Sequence, residues 1–317
     1  MSELTFRMKT TLELTTEEAQ AIVDMFNVVM GRDRTLNVFY NQFVNTPLGY
    51  SFHLMMFEDG VFVGSHTNVP SYYIVNGARL LFTTGADTMI KKGHRDIYSY
   101  IEMLKFNTEE MKARGVAAGY GFPNDLNYKI LTKGKLAKSI GHMYTYCLPI
   151  RIGGIKRKLS FLNFASFVFC YLWAFISYIF ASSKETKFKI SKELESFNRG
   201  RYSRNDGKYC VTDEFVYKII NYEGVRSAFL IDVFKKSPRE FCKAVLYLLK
   251  NEKDKFDIII YPGHLSFYIT GMVKIPHKFE PKHFHVVGGV YNKNAIDKDI
   301  MFDFNNWDVN LSNYDLI

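Results

Sequence analysis

The hexapeptide Gly119-Tyr120-Gly121-Phe122-Pro123-Asn124 follows the apolar run Val116-Ala117-Ala118 and precedes a helical pattern. A dinucleotide fingerprint needs a third glycine for close strand–helix packing and an acid about twenty residues on for the ribose. Asn124 stands in the third place, and Gly141 to Tyr146 contains no acid, so the pattern does not favour a nicotinamide cofactor. What it does suit is a strand end that a ligand can approach closely through its glycines, with Pro123 removing a donor and ending the pairing. Upstream, Lys91, Lys92, His94 and Arg95 surround the point where a loop opens a helix. Unpaired N–H groups and the positive dipole end make such a point a ready anion site. His283-Phe284-His285 would put two imidazoles on one strand face, with His264 and His277 near in sequence, but no carboxylate or cysteine completes a ligand set at metal spacing, so no metal is expected. No G-x-S-x-G elbow, Walker loop or H-E-x-x-H motif occurs.

These residues need positioning elements. Thr15-Thr16 before Glu17-Glu18 and the apolar positions Ile22, Val23, Phe26, Val29 and Met30 predict a capped helix. Ser51 to Phe57, a turn at Glu58-Asp59-Gly60 and Val61 to Val63 read as a hairpin. Val69 to Val75, a turn at Asn76-Gly77 and Arg79 to Ile90 add two strands. A helix over Ile97 to Arg114 ends at Gly115, a short strand runs from Val116 to Gly121, a helix covers about Leu126 to Ile140, and a last strand spans His142 to Ile150. Part of this order returns later: the stretch from Asp232 matches that from Asp87 in a double lysine, an arginine–acid pair and a helix start, and each helix is followed by a short apolar strand closed by proline. We read a degenerate tandem repeat.

The order of elements resembles the GNAT superfamily of acyl-CoA N-acyltransferases, most closely the tandem-GNAT proteins found around bacterial surface-polysaccharide synthesis. The resemblance runs over residues 1–150 and, more loosely, over 200–317, where the tail from Asn305 also looks like the ending of such proteins. It implies an α/β fold with a mixed sheet: a GNAT-like acyl-CoA domain (1–150), an apolar helical connector (151–200) and a degenerate GNAT-like domain (201–317). In that family two strands splay as a V that holds pantetheine, while pyrophosphate sits on the amides opening the central helix. Carried over, the resemblance puts acetyl-CoA or a similar acyl-CoA against Thr88, Met89 and Ile90, the loop Gly93, His94, Arg95, Asp96, Ile97 and Tyr98, and Gly121 and Asn124 on the far lip. The family's loop pattern Arg/Gln-x-x-Gly-x-Gly is replaced here by Gly93, Asp96 and Tyr98 at its fixed positions, and an acid at Asp96 would repel a pyrophosphate.

The chemistry implied is attack of an uncharged amine on a thioester, with the departing thiolate protonated or stabilised. Tyr128 stands where related enzymes often place a tyrosine acid; packing alone is the other account of it. Asp87 is either a base or a structural carboxylate, and Asn124 suits capping better than reaction. The acceptor would be a small amine or an amino sugar on a nucleotide or lipid carrier. Two other readings stay open: a non-catalytic GNAT-fold binding or scaffold protein, and an aminoacyl-tRNA-dependent peptidoglycan aminoacyltransferase, for which tRNA would be the partner.

Composition sets the outer bounds. Lys and Arg total 41 against 32 Asp and Glu, a net +9 that favours an anionic partner. The four cysteines, Cys147, Cys170, Cys210 and Cys242, form no C-x-x-C pair, and the start of the chain does not read as a signal peptide, so a reducing cytoplasm is expected. Phe161 to Ser183 runs without one charged residue, long enough to span a bilayer. Basic residues flank it on both sides, which gives no orientation and suits a helix lying on an anionic membrane face, the alternative being a buried connector. A repeat sharing one cleft argues against a span, so a peripheral position at the inner membrane face is expected.

Overall fold

The computed structural model describes residues 3–203, 208–280 and 282–314. Two compact units emerge, and both are discontinuous. The first gathers Met1–Gly141, Lys189–Asp206 and His285–Asn306, the second His142–Phe188, Gly207–Phe284 and Trp307–Ile317.

The first unit opens with strand β1 (Leu4–Thr10), then helices α1 (Thr16–Met30) and α2 (Leu36–Val44). Thr15 and Glu18 form the capping box that starts α1, and Gly31 in the left-handed region ends it. Strands β2 (Phe52–Glu58), β3 (Val61–Val75) and β4 (Ala78–Ile90) form two hairpins. Both turns, Asp59-Gly60 and Asn76-Gly77, have positive φ at each residue, which matches the twist of the flanking strands. β3 is one unbroken strand across the two shorter runs expected from sequence, because β2 covers its first part while β4 covers nearly its whole length. Helix α3 (Ile97–Ala113), strand β5 (Ala118–Gly121) and helix α4 (Asp125–Lys133) follow. The last is shorter than the expected helix to Ile140: the chain turns at Gly134 and at Lys135, whose φ is 55°, and strand β6 (Lys138–Pro149) begins sooner. β1 and α2 have no counterpart among the expected elements.

The second unit contains most of β6, the short helix α5 (Ile152–Ile155) and the apolar helix α6 (Asn163–Phe180). The chain returns to the first unit for β7 (Ile190–Lys192), which pairs with β3, and α7 (Leu194–Gly200). Back in the second unit lie β8 (Cys210–Val211), β9 (Phe215–Tyr222), β10 (Val225–Val233), α8 (Pro238–Asn251), β11 (Ile258–Gly263) and β12 (Val273–Lys274). β13 (Phe284–Val290) and α9 (Lys298–Met301) follow. The first unit's strand order is β1-β2-β3-β4-β5-β13, and the second unit's is β6-β11-β10-β9-β8. β13 fills the far side of β5 in antiparallel register, with Val287 opposite Gly121 and Val290 opposite Ala118.

The repeat is visible in this topology. In each unit a hairpin feeds a helix that crosses to a parallel strand: β3-β4-α3-β5, with Thr83 opposite Gly119, and β9-β10-α8-β11, with Ala228 opposite Ile259. Both middle strands carry a bulge near the matched aspartates: Asp87 lies in that of β4, and in β10 the extra residue is Ile231, just before Asp232. In the second unit the place is closed by ion pairing: buried Lys236 reaches Asp232 at 2.5 Å and Asp308 at 3.1 Å, and Asn310 donates to Asp232 at 2.8 Å. Burial alone would push the Lys236 ammonium down, but the two carboxylates outweigh it and hold it above its ordinary value. The tail from Trp307 thus supplies core and charge to this unit, Trp307 being fully buried, while its last three residues lie outside those described.

Candidate functional site

β4 and β5 run parallel only from Phe82/Ala118 to Thr84/Tyr120. Beyond Thr84, β4 continues to Ile90 with no β5 residue paired to it, β5 ending at Gly121; this is the place of the V that the resemblance implies. A bulge sits on the β4 arm. Thr67 faces Ala86 and Ser65 faces Met89, so Asp87 and Thr88 stand opposite the single residue His66. Asp87 takes a φ of 44°, and its carboxylate meets the Arg34 guanidinium at 2.5 Å, both side chains nearly buried. That guanidinium also lies 3.4 Å from the centre of the Phe26 ring. The Thr88 hydroxyl and His66 Nδ1 are 2.7 Å apart, while Met89 and Ile90 are buried. The bulge and the ion pair both lie where β4 runs beyond its last row with β5.

The glycines of the far lip divide their work. A side chain at Gly119 would collide with the Tyr291 hydroxyl, so this glycine makes room for the protein's own tyrosine. At Gly121 an added Cβ would meet only the Gly85 carbonyl oxygen, 4.0 Å away. Only the second glycine leaves the mouth of the V clear. Asn124 caps α4, accepting from the Asn127 N–H at 2.9 Å.

At the N-terminus of α3 the protein supplies its own anion. Asp96 is the cap residue; it accepts from the Ser99 N–H at 2.8 Å and the Ser99 hydroxyl at 2.6 Å. These two bonds, the hydroxyl's first, hold its carboxyl below the usual range. The Lys91 N–H is bonded to Val63 O, the His94 N–H to Lys91 O and the Asp96 N–H to His94 O. His94 Nδ1 contacts the Glu58 carboxylate, and Arg95 Nε donates to Ile90 O at 2.7 Å. Gly93, with φ 101°, provides the reversal these contacts need. Ile97 and Tyr98 project into solvent, and the loop holds two acids beside its bases.

Tyr128 lies on α4, one turn after the lip. Its hydroxyl donates to Ser139 Oγ at 3.2 Å, and its ring stacks on His285 with centroids 4.1 Å apart and 14° between planes. His285 is oriented by Asp125, Nε2 to Oδ1 at 2.9 Å. The pairing of Tyr128 with His285 is invisible in sequence, since more than 150 residues separate them. The alternation around β13 was the only local signal at that histidine.

No family model matches the sequence, and no curated protein matches it. Solved structures do match in fold. A GCN5-related N-acetyltransferase from Anabaena variabilis ATCC 29413 superposes with a TM-score of 0.56 at 10% identity, over 90% of this chain and 73% of that one. Eis1 from Mycobacterium abscessus gives 0.54 at 12% identity, over 92% and 75%. The fold is that of tandem GNAT proteins. A GCN5-related N-acetyltransferase from Kribbella flavida, with a TM-score of 0.56 at 9% identity over 91% of this chain and 71% of that one, repeats the match. The GNAT order, with a second, degenerate copy and a long apolar helix, thus agrees with the expectation from sequence.

Proposed function

We propose that the protein transfers an acetyl or similar acyl group from acyl-CoA to an amine. The observation that carries this reading is the end of pairing between β4 and β5 after Thr84, with a bulged β4 arm, a clear lip at Gly121 and a helix N-terminus following the open end of that arm. Backbone groups of Thr88, Met89 and Ile90 past the last paired row suit an extended amide-bearing chain, and the basic loop from Lys91 to Arg95 suits its phosphates. We assign acyl-CoA to residues 1–150 and regard 201–317 as a copy whose equivalent place is filled by Lys236 and its two aspartates. Tyr128 is the proposed acid for the departing thiolate: its hydroxyl can donate a proton, and its ring is held by His285. Asp87, committed to Arg34, holds the bulge in place. The acceptor we favour is an amino sugar on a nucleotide or lipid carrier. Calorimetric titration with acetyl-CoA tests the reading; saturable binding supports it, and no heat of binding would leave the scaffold reading. That second reading is favoured by one observation, the Asp96 carboxylate at the α3 terminus.

The acceptor proposal includes a position at an anionic membrane face. The stretch Arg157–Phe180 is long and apolar enough to cross a bilayer, yet Cys170 and Ala174 of α6 belong to the same core as Phe241 and Val245 of α8. A helix packed on a folded unit suits the interface rather than a span. Phe169, Trp173, Ile176 and Phe180 form a stripe at helical spacing and are all exposed, and Arg157, Lys158, Lys184 and Lys187 flank the segment. Replacing Phe169 and Trp173 with serine removes about 1 kcal/mol of apolar transfer each, given their partial exposure. Binding to vesicles rich in phosphatidylserine should therefore fall about thirtyfold, and wild-type protein that ignores such vesicles would overturn the assignment.

A further inference from the structure

Three side chains of the second unit meet at one point, two of them three residues apart and the third 138 positions from Glu280. His142 lies on β6, His277 opens a 3-10 turn, and Glu280 follows that turn. His142 Nε2 and His277 Nδ1 approach the same carboxylate oxygen of Glu280, at 2.7 and 2.8 Å. The other oxygen accepts the Thr145 N–H at 2.7 Å, which fixes the carboxylate in one orientation. The Glu280 side chain is wholly buried, that of His142 largely so, and that of His277 is half exposed. A third imidazole is adjacent, the His283 ring lying 4.4 Å from that of His277 and 5.9 Å from that of His142.

We propose that His142, His277 and Glu280 form a zinc site. Two imidazoles and an anionic oxygen are a donor set that zinc selects over magnesium or calcium, which prefer oxygen alone. A carboxylate held from behind by a backbone N–H is the outer-shell support that metal ligands receive. The three donor atoms lie within 4.8 Å of one another. Bonds of about 2.0–2.1 Å in a tetrahedron put donors roughly 3.3 Å apart, so the present contacts need to open by only about half an ångström. Small side-chain rotations at His277, whose ring is half in solvent, supply that movement. The half-exposed side leaves the remaining coordination position to His283 or to water. Bound metal would tie the segment from His277 to Glu280 onto β6.

The test uses the full chain, stripped with a chelator and titrated with zinc against a competing chelator. One zinc per chain with submicromolar affinity is expected, and His142→Ala and Glu280→Gln should each weaken it at least a hundredfold. Substitution with Co2+ should give the intense visible absorption of a tetrahedral site. Should the buried Glu280→Gln variant fail to fold, His277→Ala removes a ligand from the exposed side and must show the same loss. Zinc binding by the wild type no tighter than by a His142→Ala/His277→Ala double variant would overturn the proposal, as would stoichiometry well below one.

Discussion

Asp96 occupies the place where a phosphate would be most favoured, and replacing it asks directly whether that place can bind an anion. Asp96→Asn keeps a cap side chain able to accept from the Ser99 N–H, and aspartate and asparagine are close to equivalent as caps. The helix should therefore survive, with a loss of about 0.3–1 kcal/mol from the removed charge at the dipole end. The gain for a bound pyrophosphate is larger. Two unit charges at about 4 Å interact with about 1 kcal/mol in water, so relief of repulsion against two negative charges is worth about 2 kcal/mol. Acetyl-CoA affinity, measured by calorimetry at low salt, should rise about thirtyfold, and the gain should shrink as salt screens it. Unchanged or weaker affinity in a variant that melts normally would refute the reasoning. The α3 terminus would then not be the anion site, whatever the V accommodates.

Three further predictions concern other residues. Tyr128→Phe keeps the ring against His285 and loses the hydroxyl, so turnover should fall at least tenfold while the Kd for acetyl-CoA stays nearly constant; equal turnover would make Tyr128 a packing residue. Lys236→Met leaves Asp232 and Asp308 without their buried cation and should cost about 3–5 kcal/mol in urea unfolding, where a change below 1 kcal/mol would contradict the paired-charge account. Burial pushes His53 down to about 3 and His66 down to about 4, so both stay neutral in the folded chain while the unfolded chain takes up protons below about pH 6.5. Stability is thus greatest above pH 6.5 and is lost as pH falls towards 4. At pH 5 the loss is about 2 kcal/mol per site, and His66→Gln should flatten the slope of urea stability against pH by about half.

Some of this architecture is readable from sequence because its causes are local. The capping box at Thr15 and Glu18, the positive-φ turn at Asn76-Gly77 and the strand–helix–strand order around α3 all depend on residues within a few positions of one another. The repeat was legible for the same reason, since Asp87 and Asp232 each stand a short distance before their helix. Some unforeseen parts are local, such as α2 and the early end of α4 at Gly134-Lys135, but those at the candidate sites are long-range. Nothing near Glu280 signals His142, 138 positions away, and nothing near Tyr128 signals His285. Gly119 and Gly121 look alike in the string, yet only Tyr291, brought in beside β13, reserves the space at Gly119. Hydrophobic period and turn chemistry describe elements; they carry no address for a partner strand.

The place of β13 beside β5 has a consequence for how the chain is made. Gly121 leaves the ribosome about 160 residues before Phe284. At about 5–20 residues per second, β5 waits roughly 10–30 s with one edge open. An exposed edge of this kind invites pairing with another chain, and closing so long a loop slows the search for the right partner. Nascent chains halted before β13 should therefore be held by chaperones through this edge, whereas chains from which β13 has emerged should no longer offer it.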